Sequence, residues 1–209
     1  MKPARQRSDR LSTTVYNYQE NIMTNQTNNI NNTNHINNTN HINHINQTNH
    51  TNHTNHINHI NKTAIITGAS RGIGAAIAKK LASCGYNLSL CCRNSSDRLK
   101  ALADELHCAY GIEVLCYTGN VGDFFFAKDM VANTISHFGH IDVLINNAGI
   151  SHIGLLSDMT PEEWNNIVAI NLTGVFNFTK LVIPYMVADK CGRILQISSV
   201  WGNVGASCE

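Results

Sequence analysis

The sequence predicts an α/β domain built on a doubly wound parallel sheet. Three observations carry that prediction. From Lys62 onward, short apolar runs of strand length alternate with longer runs of helix length. The first apolar run leads directly into TGASRGIG, Thr67 to Gly74, and from there into a helical pattern. The strand-like runs are apolar nearly throughout, as strands covered on both faces by helices must be.

The elements follow in order. A first strand is predicted over 63–67, then a glycine-rich turn and a helix to about Ser83, closed by Gly85, a residue suited to the left-handed position after a helix. A second strand is predicted over 87–92, ending at Arg93, and a helix over 96–110. A third strand is predicted over 113–117, a helix over 123–138, and a fourth strand over 141–146. Thr160-Pro161-Glu162-Glu163 has the form of a capping box, with Thr as cap, Pro in the first turn and Glu three residues on. It opens a long helix expected to run to about Lys190 and to bend near Pro184. A fifth strand is predicted over 193–197.

The first 61 residues are of another kind. Residues 24–61 contain only Asn, Thr, Ile, His and Gln, with Asn at every third position from Asn25 to Asn61. Such a segment buries too little apolar area to offset the entropy of ordering, so 1–61 is expected to be a disordered low-complexity domain and 62–209 the folded one. Its histidines, from His35 to His59, suit loose binding of divalent metal, but no Cys, Asp or Glu joins them and no dedicated metal site is expected. Its Asn-x-Thr triplets match glycosylation acceptors that a cytoplasmic chain would not use. The three-residue period lacks the Pro of polyproline II and the Gly of collagen.

Composition excludes several classes. A net charge of +1 gives no electrostatic footprint for nucleic acid or an anionic membrane surface. No apolar run in the sequence approaches the roughly 20 residues that span a bilayer. The basic start MKPARQRSDR is not followed by the apolar region of a secretory signal. Seven cysteines, an odd number without a CxxC pair, read as free thiols of a reducing compartment, hence the cytoplasm. Cys208, near the suspected site, reads as a small loop residue.

The chemistry lies in the folded half. In TGASRGIG, Gly68, Gly72 and Gly74 let the backbone turn tightly and approach a pyrophosphate, while the helix behind them offers free N–H groups and a partial positive charge. The spacing is TGxxxGIG. Asn146-Asn147-Ala148-Gly149 follows the fourth strand, Asn171-Leu172-Thr173-Gly174 lies in the long helix, and Ile197-Ser198-Ser199 ends the fifth strand. With these four motifs in this order, the region from Lys62 to Glu209 resembles the short-chain dehydrogenase/reductase family. The resemblance implies a Rossmann-like, NADP-binding sheet that is incomplete here, with five strands present.

It also implies roles. Thr67, Gly68, Ser70, Arg71, Gly72, Ile73 and Gly74 would bind the cofactor, as would Asn147, Ala148 and Gly149. Asn120 and Val121 resemble the family's adenine-contacting pair, often Asp-Val. At the end of the second strand, where NAD-binding relatives place a carboxylate, stand Arg93 and Asn94; with Arg71 they favour the 2′-phosphate of NADP(H), against the plainer reading of two solvated arginines. Asn171 and Ser199 match the catalytic Asn and Ser, with Ser198 the competing choice; spacing to Gly202 favours Ser199.

The family's proton donor is the Tyr of a Tyr-x-x-x-Lys motif about thirteen residues after that serine, which falls past Glu209. No tyrosine of the chain has lysine four positions on: Tyr110 precedes Val114 and Tyr185 precedes Asp189. The expectation is therefore a chain without its general acid, inactive and poorly soluble by itself, its fifth strand an open edge. TGASRGIG resembles 3-oxoacyl-acyl-carrier-protein reductases, and VWGNVGASCE a bacterial subgroup that reduces 5-aminopentanone on a lysine of elongation factor P. Either substrate is a ketone on a protein carrier, and the complete family member is expected to be a homo-oligomer. The competing expectation is a nucleotide-binding fragment without catalysis.

Overall fold

The computed structural model describes residues 61–205. The Asn/His-rich segment, apart from Asn61, and Cys208 lie outside the described residues. Five strands form one parallel sheet: β1 (Thr63–Ile66), β2 (Asn87–Cys92), β3 (Val114–Thr118), β4 (Val143–Asn146) and β5 (Arg193–Gln196). Their order is β3-β2-β1-β4-β5. Between them run α1 (Gly72–Ala82), α2 (Ser96–Tyr110), α3 (Phe124–Phe138), α4 (Pro161–Val168) and α5 (Gly174–Ala188).

The side-chain period of a strand explains the layering. Ala64 and Ile66 of β1 point to one face, where they pack with Ala78, Leu88, Leu90, Leu99 and Leu106. Ile65 points to the other, where it meets Leu144, Met130, Phe178 and Val182. All residues of β1, β2 and β4 are buried. β5 pairs with β4 alone, Val143 opposite Arg193 through Asn146 opposite Gln196, and among the described residues it is an edge strand. Its Leu195 is 44% exposed.

The helix ends follow from their sequences. Gly85, Gly111 and Gly139 each adopt positive φ after a helix. Asp123 caps α3 by accepting from the Phe125 N–H at 2.8 Å. The capping box opens α4: Thr160 Oγ1 accepts from Glu163 N at 3.2 Å, and Thr160 N donates to Glu163 Oε2 at 2.9 Å.

The long helix departs from expectation. Its hydrogen-bond register changes not at Pro184, which lies inside α5, but at a π turn over Ala169–Thr173. Here the loop after β3 presses in. A Cβ on Gly122 would meet Ala169 O at 2.7 Å, and one on Gly174 would meet Val121 Cγ2 at 2.8 Å. A second correction concerns apolar length. The helical run Pro161–Ala188 is, by length and composition alone, apolar enough to cross a membrane, with a mean hydropathy of 1.5 over an 18-residue stretch within it. Phe178, Val182 and Met186 on this run lie in the core against the sheet, while Leu172, Phe176, Ile183 and Val187 on it are exposed.

Candidate active site

Because every strand is parallel, all five open their carboxyl ends at one edge, and the strand order reverses between β1 and β4. Ligands of open α/β sheets bind at such a switch point. Thr67 ties the two loops there. Its Oγ1 accepts from the N–H groups of Asn147 and Ala148, each at 3.0 Å, and donates to Ile145 O at 3.4 Å. Asn147 Nδ2 returns the link, donating to Thr67 O at 3.0 Å and Gly68 O at 3.1 Å. Gly68 sits at φ +67°, and its missing side chain leaves room for Ala148, whose Cα a Cβ would meet at 2.9 Å. Gly74 is pinned harder: a Cβ there would collide with Gly68 O.

This staple leaves the start of α1 open. Its cap residue, Arg71, makes no side-chain hydrogen bond to the helix, and the first turn holds no acidic residue. The contrast with α3 and α4, both capped by their own side chains, is direct. The leading N–H groups of α1 are thus available to an anion, and a pyrophosphate fits them chemically. A Cβ on Gly72 would meet no atom of the described residues within 4 Å, so none of them fills that cradle. Ser70 is half-buried within it, while Ile73 is 62% exposed at its rim. Beneath the loop, burial pushes the Cys91 thiol up to about 12, so it stays protonated and unreactive.

Arg93 and Asn94 follow β2 and are exposed, as is Arg71. Among the described residues neither arginine has a carboxylate partner. Arg93 Nη1 instead donates to Asn166 Oδ1 on α4 at 3.5 Å. Asn120 Oδ1 accepts from the Gly122 N–H at 3.0 Å and shapes the turn after β3, with Val121 buried behind it. Asn177 holds this turn from below, its Nδ2 donating to Val121 O and Gly122 O, each at 3.2 Å. Sequence reasoning did not select Asn177; a lone amide in the apolar run GVFNF was its only signal.

Asn171 lies in the π turn, a deviation frequent at functional sites. Its amide pairs with one backbone residue of the β4 loop: Nδ2 donates to Ile150 O at 2.7 Å, and Oδ1 accepts from Ile150 N at 2.9 Å. That pairing fixes the segment beginning at Gly149. Two residues on, His152 Nδ1 lies 3.9 Å from Glu163 Oε1. Ser199 is exposed beyond β5 and caps the single turn Val200–Gly202, its Oγ accepting from Trp201 N at 3.3 Å. Among the described residues no hydrogen bond joins Ser199 to Asn171. Thr67, Gly68, Asn147 and Ala148 therefore form one bonded cluster with Gly74 packed against it, whereas Asn171 and Ser199 are each anchored separately.

A parallel sheet in this order, with a glycine turn opening the first helix at the switch point, defines a dinucleotide-binding α/β protein. Residues 62–209 match the short chain dehydrogenase family, and the chain belongs to it. Over 144 residues it is 40% identical to the 3-oxoacyl-acyl-carrier-protein reductase FabG of Staphylococcus epidermidis, a match covering 69% of this chain and 59% of that protein. The chain thus spans less than two thirds of the length of such curated relatives. Among solved structures, a metagenomic short-chain oxidoreductase in complex with NADP superposes with a TM-score of 0.66 at 35% identity, over 70% of this chain and 66% of that one. An alcohol dehydrogenase from the archaeon Thermococcus sibiricus, complexed with 5-hydroxy-NADP, gives a TM-score of 0.66 at 33% identity, over 70% and 62%.

Proposed function

We propose that this chain is the nucleotide-binding and serine-bearing part of an NADPH-dependent ketone reductase. The observation that carries the reading is the start of α1, which no side chain caps and whose first turn holds no acidic residue, flanked by Arg71, with Arg93 where a carboxylate would select NAD. The NADP-bound relatives support it. When bound, the cofactor supplies the hydride. Thr67, Gly68, Ser70, Gly72, Ile73 and Gly74 hold its pyrophosphate, with Arg71 and Arg93 on the 2′-phosphate and Asn94 beside them. Asn120 and Val121 bound the adenine, and Asn147, Ala148 and Gly149 the nicotinamide end. Ser199 donates a hydrogen bond to the ketone oxygen as negative charge develops there. Asn171, through Ile150, sets the backbone that faces the reacting carbon.

The substrate is a ketone carried on a protein. FabG-like relatives favour a 3-oxoacyl chain on acyl-carrier protein, while the VWGNVGASCE loop keeps 5-aminopentanone on elongation factor P as the alternative. The compartment is the cytoplasm and the complete reductase a homo-oligomer. A second reading, nucleotide binding without turnover, is favoured by one observation: no tyrosine of these 209 residues has lysine four positions on. Titration of the chain with NADPH and NADH, followed by cofactor fluorescence, tests the first reading. NADPH should bind about tenfold more tightly or better, and Arg93→Asp should erase or reverse that preference. Equal binding of both cofactors would overturn it. Oxidation of NADPH by the 209-residue chain with a 3-oxoacyl substrate would exclude the second.

A further inference from the structure

We infer that Asn166 is a positioning residue for the 2′-phosphate end of the cofactor, holding Arg93 across the mouth of the adenosine pocket without neutralising it. The inference rests on the NADP(H) reading and names a residue outside the motifs that carry it. Four links close a ring. Cys92 O, just before Arg93, accepts from Gly119 N at 2.9 Å. Three residues on, Gly122 seats against Ala169, with no room for a Cβ. Ala169 lies three residues, nearly one helical turn, past Asn166 on α4 and its π continuation. Asn166 Oδ1 then accepts from Arg93 Nη1 at 3.5 Å and completes the ring. The carboxyl ends of β2 and β3, with Asn120 in the turn just after β3, belong to this frame.

The chemistry of the acceptor matters. A guanidinium has five N–H donors, and the single bond to Asn166 leaves the others for a phosphate. A carboxamide oxygen orients the cation while leaving its charge intact. A carboxylate in its place would pair with the arginine and repel the incoming phosphate.

The test uses the full 209-residue chain and two probes, 2′,5′-ADP and 5′-AMP, which differ only in the 2′-phosphate. Binding is measured by calorimetry for the wild type, Asn166→Asp, Asn166→Ala and Arg93→Asp. Asn166→Asp should weaken 2′,5′-ADP about tenfold and leave 5′-AMP within about twofold, since only the probe with a 2′-phosphate places charge beside the new carboxylate. Asn166→Ala should weaken 2′,5′-ADP about twofold to threefold, the value of one exposed hydrogen bond. Retained 5′-AMP binding shows that each variant is folded. If both Asn166 variants keep the wild-type ratio of affinities while Arg93→Asp loses it, the role of Asn166 is refuted and the NADP(H) reading stands. If the wild type itself does not discriminate the probes, both readings fall together.

Discussion

β1 and β5 are both four-residue parallel strands, and both pair with β4, one on each side. Yet β1 is wholly buried and β5 is mostly exposed. The difference is not in apolar content at the centre, since Ala-Ile-Ile and Ile-Leu are similar. It lies in neighbours: β1 has β2 on its other side and helices over both faces, whereas β5 has one strand. The loops they feed differ in the same way. Thr67, after β1, is fixed by side-chain bonds to residues some 80 positions away. Ser199, after β5, is held among the described residues by its own turn. The nucleotide end of the site is thus stapled by contacts some 80 positions long, whereas at the substrate end, within the described residues, Asn171 reaches 21 positions to Ile150 and Ser199 only two to Trp201.

The largest test of this contrast is paired truncation. Ile65→Ala, at a fully buried position of β1, should cost about 2–5 kcal/mol of unfolding free energy. Leu195→Ala on β5 should cost well under half of that, about 1 kcal/mol or less, because its side chain already meets water. Urea unfolding of both variants checks this, and equal losses would break the distinction between the strands. A smaller effect is expected at the two loops. Thr67→Val deletes a hydroxyl that serves two buried-side N–H groups and should cost about 1–3 kcal/mol and weaken NADPH binding. Ser199→Ala should leave stability within about 0.5 kcal/mol, since it removes one exposed local bond. A melting scan that places both variants at the same midpoint would show that the staple does not organise the site.

The same contrast explains what the sequence discloses. β2 and α2 begin and end where the hydrophobic pattern puts them, because Gly, Ser and Asn punctuation flanks each run. The capping box is readable because all its partners lie within four residues. The glycine loop is readable because Gly68 and Gly74 answer to close backbone approach, which few other sequences satisfy. The π turn is not readable from local pattern. The apolar run continues through it, and the register change coincides with contacts to Val121 and Gly122, nearly 50 residues earlier. Pro184 is the stronger local signal for irregularity, and it lies within α5. The Arg93–Asn166 bond is equally hidden, since its partners are 73 positions apart and neither residue type demands the other.

The smallest expected effect belongs to the charge of Glu163 at the start of α4. The backbone N–H of Thr160 is the main cause that lowers the Glu163 carboxyl below its ordinary value of 4.5, with the Thr160 side chain and His152 acting in the same direction. A carboxyl whose folded pKa is depressed adds stability above its unfolded pKa and loses it as pH falls through the folded value. Glu163→Gln keeps an acceptor for the Thr160 N–H but removes the charge. The wild type should therefore exceed this variant in stability at neutral pH, and the gap should close as pH drops from about 4.5 downward. Denaturant midpoints measured across that window check the sign; a gap that stays constant from neutral pH into acid would mean that the charge contributes nothing. Thr160→Ala, which removes the other half of the box, should cost about 1 kcal/mol at neutral pH. A comparable loss on replacing Asp123, the cap of α3, would show that helix starts on the nucleotide and substrate sides are anchored alike, and that the contrast between the two regions resides in their strands and loops alone.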